Sequence, residues 1–109
     1  MLEALIFIQL VILRFHNEPM TDEPMTVQDY ITIQSIKHDI DVETSLRIAK
    51  CESNYDPHAR NPNSSAKGVY QFLDGTFSAY CSGDVFNYRD NVDCFMNNYK
   101  KHPNWWVCK

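Results

Sequence analysis

At 109 residues the chain has room for one compact domain and no more. Hydrophobic residues make up 44% of it and aromatics 13%, which excludes a disordered chain and predicts a packed core. The net charge of −4 excludes the basic footprint of a nucleic-acid binder, so any anionic polymer must be held by short-range hydrogen bonds and stacking.

The chain opens on an apolar run from Leu2 to Leu13, interrupted by Glu3 and Gln9. Its length suits the apolar core of an export signal and is short for a membrane span. No Lys or Arg precedes it and no small-x-small cleavage site follows, so an uncleaved anchor and an N-terminal core helix stand beside the export reading. Next, Glu18-Pro19-Met20-Thr21 recurs as Glu23-Pro24-Met25-Thr26. A short acidic duplication containing proline reads as a solvated linker. Residues 1–25 are therefore taken as an export- or anchor-like segment with its linker, and residues 26–109 as the folded domain.

From Val27 to Ile40 the apolar positions Val27, Tyr30, Ile31, Ile33, Ile36 and Ile40 fit a core helix, with Thr26 as cap and Asp29 as the capping-box acid. His38 reads as a surface residue at its charged end. Asp41 then suits the N-cap of a second helix carrying Val42, Leu46 and Ala49 at helical spacing and ending in Cys51-Glu52-Ser53-Asn54. At about 100° per residue Glu52 falls beside Ile48 and Ala49, on the flank of the apolar stripe. Burial and the negative end of the helix both disfavour its carboxylate, so its pKa is expected to rise. A carboxylic acid that keeps its proton near neutral pH is what glycosidic-bond cleavage needs as a donor. A solvated surface glutamate is the ordinary alternative for such a position.

A polar loop follows from Tyr55 to Lys67, with Asp56-Pro57 expected to end the helix. Gly68 is expected at a close backbone approach or a positive φ. Gln71 offers both donor and acceptor to a sugar hydroxyl or N-acetyl group. Phe72, Leu73 and Phe77 are assigned to the core, and Asp74 is expected to cap a short helix through Tyr80.

The series Glu52-Ser53-Asn54-Tyr55-Asp56-Pro57, then Ala59, Asn61, Ser65, Ala66, Gly68, Gln71 and Phe72, resembles the lysozyme-like domain of soluble lytic transglycosylases and the related resuscitation-promoting factors. The resemblance covers about residues 27 to 108. It implies a mainly α, lysozyme-like α+β fold, with Glu52 as catalytic acid and substrate contact at Gln71. Ser53 is taken as a further substrate contact, and Tyr55 and His58 as cleft residues, with core packing for Tyr55 and solvent for His58 as the alternative. The resemblance also implies a tyrosine near the cleft in the C-terminal half, for which Tyr88 and Tyr99 are both candidates.

In that half Asp90 is expected to start a helix with Val92, Phe95, Met96 and Tyr99 on one face, and Lys100, Lys101 and His102 precede its stop at Pro103. Trp105-Trp106 follow, one expected buried and one, assigned as Trp105, exposed for sugar stacking. The four cysteines, Cys51, Cys81, Cys94 and Cys108, contain no Cys-x-x-Cys, which argues for two disulfides and against zinc. Of the three pairings, Cys81–Cys94, a short staple, and Cys51–Cys108, which ties the tail to the Glu52 helix, are favoured. Disulfides imply an oxidising compartment: secretion, the cell envelope or a phage particle. Free buried cysteines in a reducing cytoplasm are the alternative.

The expected function is cleavage of the MurNAc–GlcNAc β-1,4 bond of peptidoglycan by a monomer that needs no metal or cofactor. None of Asp56, Asp74 and Asp84 matches an obvious second carboxylate, which fits a transglycosylase better than a retaining glycosidase. The alternatives are a lysozyme-type muramidase on the same bond and a non-catalytic glycan-binding or structural module. The cysteine reading predicts that oxidised protein has no titratable thiol and that reduction lowers its thermal midpoint, by the equivalent of about 2–5 kcal/mol for each native bridge. Four free thiols in stable protein contradict it.

Overall fold

The computed structural model describes residues 25–108; the apolar run Leu2–Leu13 and the first copy of the acidic duplication lie outside the described residues. Thr26 and Asp29 form the reciprocal cap expected of them: the Asp29 amide donates to Thr26 Oγ1 at 3.1 Å, and the Thr26 amide to the Asp29 carboxylate at 3.3 Å. They open α1, Val27–Lys37. The helix stops short of Ile40 because Asp39 adopts a left-handed conformation, φ 55°, and the chain turns back so that the Ile40 amide reaches Ser35 O. Ile40 thereby enters the core, whereas Ile33 and Ile36, expected on the apolar face, are exposed. The buried face of α1 is Ile31 and Ser35, whose hydroxyl is satisfied by Ile31 O at 2.6 Å.

Asp41 caps α2, Val42–Ser53, accepting from the Thr44 amide at 2.9 Å. Ser45, Ile48 and Ala49 form its buried face. After an irregular stretch come α3, Asp74–Tyr80, α4, Tyr88–Asn98, and a 3₁₀ turn, Pro103–Trp105. Asp74 does not cap α3: the cap position is Leu73, without a side-chain bond, and the Asp74 carboxylate instead pairs with Lys67 at 2.6 Å. Leu73, assigned to the core, is exposed, while Phe72 and Phe77 are buried. α4 starts two residues before Asp90, because Asn87 Oδ1 accepts from the amides of Arg89 and Asp90. It also ends at Asn98, and Pro103 opens the 3₁₀ turn instead of stopping the helix.

α1 packs against both α2 and α4, and α3 against α4. Tyr30 on α1 donates to Asp93 on α4 at 2.6 Å; burial first, and then this bond, push the phenol up to about 12. Among the described residues no strand forms: the 60–72 stretch makes single antiparallel bridges, Arg60 with Lys67 and Lys67 with Phe72. Nor is any helix among them long and apolar enough to cross a membrane. The domain is thus small and mainly helical, with disulfides Cys51–Cys108 and Cys81–Cys94.

The centre is aromatic. Tyr70 stacks on Phe95 with centroids 3.8 Å apart, and Trp106 meets Phe95 and Phe72 edge-on at 4.8 and 5.5 Å. Among the described residues every buried side-chain nitrogen and oxygen is paired: Tyr70 Oη donates to Ser45 O at 2.8 Å and Trp106 Nε1 to Tyr70 O at 2.9 Å.

Asn91, fully buried, joins the irregular stretch to α4. Its Oδ1 accepts from the Tyr70 amide at 2.9 Å, and its Nδ2 donates to Val85 O at 2.9 Å and Lys67 O at 3.4 Å. Asn91→Ala strands these groups and should cost roughly 2–4 kcal/mol by denaturant unfolding. A loss below about 0.5 kcal/mol would show that water replaces the amide.

Candidate active site

Glu52 sits in the last turn of α2, half-buried. Burial raises its carboxyl above the ordinary range, and the nearby backbone amide of Cys108 opposes that rise. No charged side chain among the described residues contributes to the shift.

The helix ends one residue later, at Ser53, by a means the sequence reading did not foresee. Asn54 and Tyr55 both take left-handed conformations, φ 53° and 63°, and the Asn54 amide closes on Lys50 O at 2.9 Å. The turn is complete before Asp56-Pro57 is reached. Asp56 then organises the loop, its carboxylate accepting from the His58 amide at 2.8 Å. Ser53, beside the acid, donates to Val69 O at 2.7 Å and to Ala49 O at 3.3 Å. The hydroxyl therefore latches the end of α2 to the returning chain.

Gln71 is half-buried with φ 54°, and its Nε2 donates to Gly68 O at 2.9 Å and Ala59 O at 3.3 Å. Its amide hydrogens thus brace the loop and do not point as free donors towards a sugar. Gly68 has φ 79°, and a Cβ there would run into the Asn91 amide and the Val85 carbonyl, so both expectations for it hold.

The remaining candidates are dispersed. Tyr55 packs on the edge of the core. Tyr88 meets Tyr30 edge-on at 5.6 Å and donates to Met25 O at 3.4 Å, which ties it to α1. Tyr99 lies against Phe95 and Trp106 at 4.9 and 6.0 Å. Trp106 is the buried indole; Trp105 is half-buried, stacked face to face on His102 at 4.2 Å with Tyr80 edge-on at 5.0 Å. Sequence reasoning named His58 but missed its surroundings: Arg60 lies over the Phe86 ring at 4.5 Å, and His58 approaches that ring at 6.5 Å. It also missed the Cys108 amide, since a backbone donor leaves no mark in residue type.

Two cavities, of about 250 and 510 Å³, lie at Cys81; Asp90 and Asp93 line the first, Asp74 and Asp84 the second, and Glu52 neither. The candidate site stays with Glu52, the acid that opens the motif running to Phe72. Among the described residues no group of His, Cys, Asp and Glu side chains is arranged to hold a metal ion. Compared with known proteins, the chain matches no family model, no curated protein and no solved structure.

The bracing by Gln71 is testable. Gln71→Glu puts a carboxylate against two carbonyl oxygens and should lower stability by roughly 1–3 kcal/mol at neutral pH, with recovery as the new acid is protonated. An unfolding midpoint that is unchanged at pH 7 contradicts the brace.

Proposed function

We propose that the chain is a lytic transglycosylase acting on the MurNAc–GlcNAc β-1,4 bond of peptidoglycan, with Glu52 as its single acid and base. The observation that carries the reading is the Glu52 carboxyl itself: half-buried, raised in pKa by burial, at the end of a helix latched to a polar loop. The motif from Glu52 to Phe72 supports the assignment by its resemblance to the transglycosylase domain. The two single-pair bridges in the 60–72 stretch are compatible with the small β part of a lysozyme-like α+β fold. The disulfides are compatible with a secreted or envelope location, or with a phage particle.

The chemistry follows from having one acid. Protonated Glu52 gives its proton to the bridging oxygen as the C1–O bond of MurNAc breaks, leaving an oxocarbenium ion at C1. The carboxylate then takes the proton of the C6 hydroxyl, whose oxygen bonds to C1 and closes a 1,6-anhydro ring. No water is consumed and Glu52 ends protonated, as it began. A retaining hydrolase would place a second carboxylate about 5–5.5 Å away, where its charge would raise the pKa of Glu52. Among the described residues no charged side chain shifts Glu52, which is compatible with the substrate's own hydroxyl as acceptor.

Glu52→Gln keeps the side-chain shape and removes the transferable proton. Clearing of purified cell walls should fall by roughly 10²–10⁴-fold or more with the fold intact. The wild-type rate should fall as pH rises through the elevated pKa of Glu52, because the reaction starts from the protonated acid. A Glu52→Gln protein that clears walls at the wild-type rate contradicts the assignment.

A further inference from the structure

On the loop that leaves the Glu52 helix, the Arg60 guanidinium lies over the Phe86 ring, 4.5 Å from its centroid. The His58 imidazole approaches the same ring at 6.5 Å, with the planes 30° apart. Arg60 and His58 are exposed and Phe86 is half-buried. Both halves of the pair stand on fixed backbone. Arg60 bridges Lys67, Phe86 follows Val85, and the buried Asn91 amide donates to the carbonyls of Lys67 and Val85 alike. Two carboxylates lie at the base of the patch, and backbone amides take both: Asp56 accepts from His58 N and Asp84 from Phe86 N, each at 2.8 Å. Among the described residues the one ion pair is Lys67 with Asp74, so Arg60 has no anionic partner there. Arg89, also set over aromatic rings, differs because its Nε donates to Tyr88 Oη at 3.2 Å.

We propose that Arg60, held on Phe86, binds a singly charged oxyanion, and that in peptidoglycan this is a free carboxylate of the peptide stems on MurNAc. The choice of the stem rests on the transglycosylase reading; the oxyanion site does not. A guanidinium held over a ring keeps the N–H groups at its edges free. Two parallel N–H donors match the two oxygens of a carboxylate in a charge-assisted pair of defined geometry. Because the ring already restrains the side chain, little further ordering is lost on binding. With Asp56 and Asp84 close by, a single guanidinium suits one negative charge and disfavours two. The chain's net charge of −4 gives no long-range attraction to anions, so selectivity comes from the short-range fork. An enzyme that engages the stem at Arg60 prefers strands carrying peptide to bare glycan.

The direct test is an NMR titration of the full, oxidised protein, following the Arg60 Nε–H and the Phe86 ring protons. The probes are N-acetyl-D-alanyl-D-alanine, its C-terminal amide, and dimethyl phosphate as a mimic of phosphodiester wall polymers. The carboxylate peptide should move both signals saturably, and the amide should move neither. Arg60→Lys keeps the charge but removes the fork, and should weaken the peptide by roughly tenfold. Equal binding of peptide and amide, or an Arg60→Lys protein that binds as the wild type does, overturns the proposal. Dimethyl phosphate that binds more tightly than the peptide points to a phosphodiester polymer and overturns the assignment to the stem. On purified walls, Arg60→Gln should lower the preference for stem-bearing over amidase-stripped strands by roughly tenfold, through KM. An unchanged preference also overturns that assignment. Should the wild type cleave no wall at all, the functional reading fails while the peptide titration still decides the oxyanion site.

Discussion

A carboxyl can keep a proton near neutrality only where water is partly excluded and the backbone around it cannot relax to let water in. The end of α2, where burial raises the Glu52 carboxyl, is held on several sides. Ser53 ties it to Val69, the left-handed pair Asn54-Tyr55 closes its last carbonyls, and the Cys51–Cys108 bridge fixes the tail beside it. Ile48 and Ala49, both fully buried, seat the same turn on the core.

The loop opposite the acid depends on a second set of restraints that leads back to the same core. Asn91 on α4 holds the backbone at Lys67, Tyr70 and Val85, and Gln71 holds it at Ala59 and Gly68. A stretch without regular strands thus obtains from side-chain amides the partners that a sheet would otherwise supply. Tyr70 then links the loop to α2 through Ser45 O and to the tail through the Trp106 indole. Loop, helix and tail meet through these bonds at one aromatic centre.

Features governed by local chemistry were legible in the sequence. The Thr26-Asp29 capping box, the Asp41 cap, the end of α2 near Ser53 and the buried Phe95 face of α4 each follow from residues within a turn or two of one another. The disulfide pairing was legible because the pattern already placed Cys51 beside the acid. Features set by distant partners were not. Asp74 looks like a cap, but Lys67 claims its carboxylate; Ile36 looks apolar enough for the core, but the buried face of α1 runs through Ile31 and Ser35. Gln71 offers itself as a sugar contact by residue type, but that two carbonyls take its amide hydrogens leaves no local mark, and Asn91 carries no sequence signal because its three partners come from other segments. At the site, the acid was visible from its own helix. Tyr88, Tyr99 and Trp105 could only be nominated by residue type, and they lie against different neighbours.

The central claim is that one glutamate serves both halves of the reaction with the substrate's own hydroxyl as acceptor. Mass spectrometry of the fragments released from purified peptidoglycan measures this directly, because the acceptor is written into the product. The account predicts muropeptides ending in 1,6-anhydro-MurNAc, lighter by one water than the hydrolysis products. Fragments ending only in reducing MurNAc would contradict it.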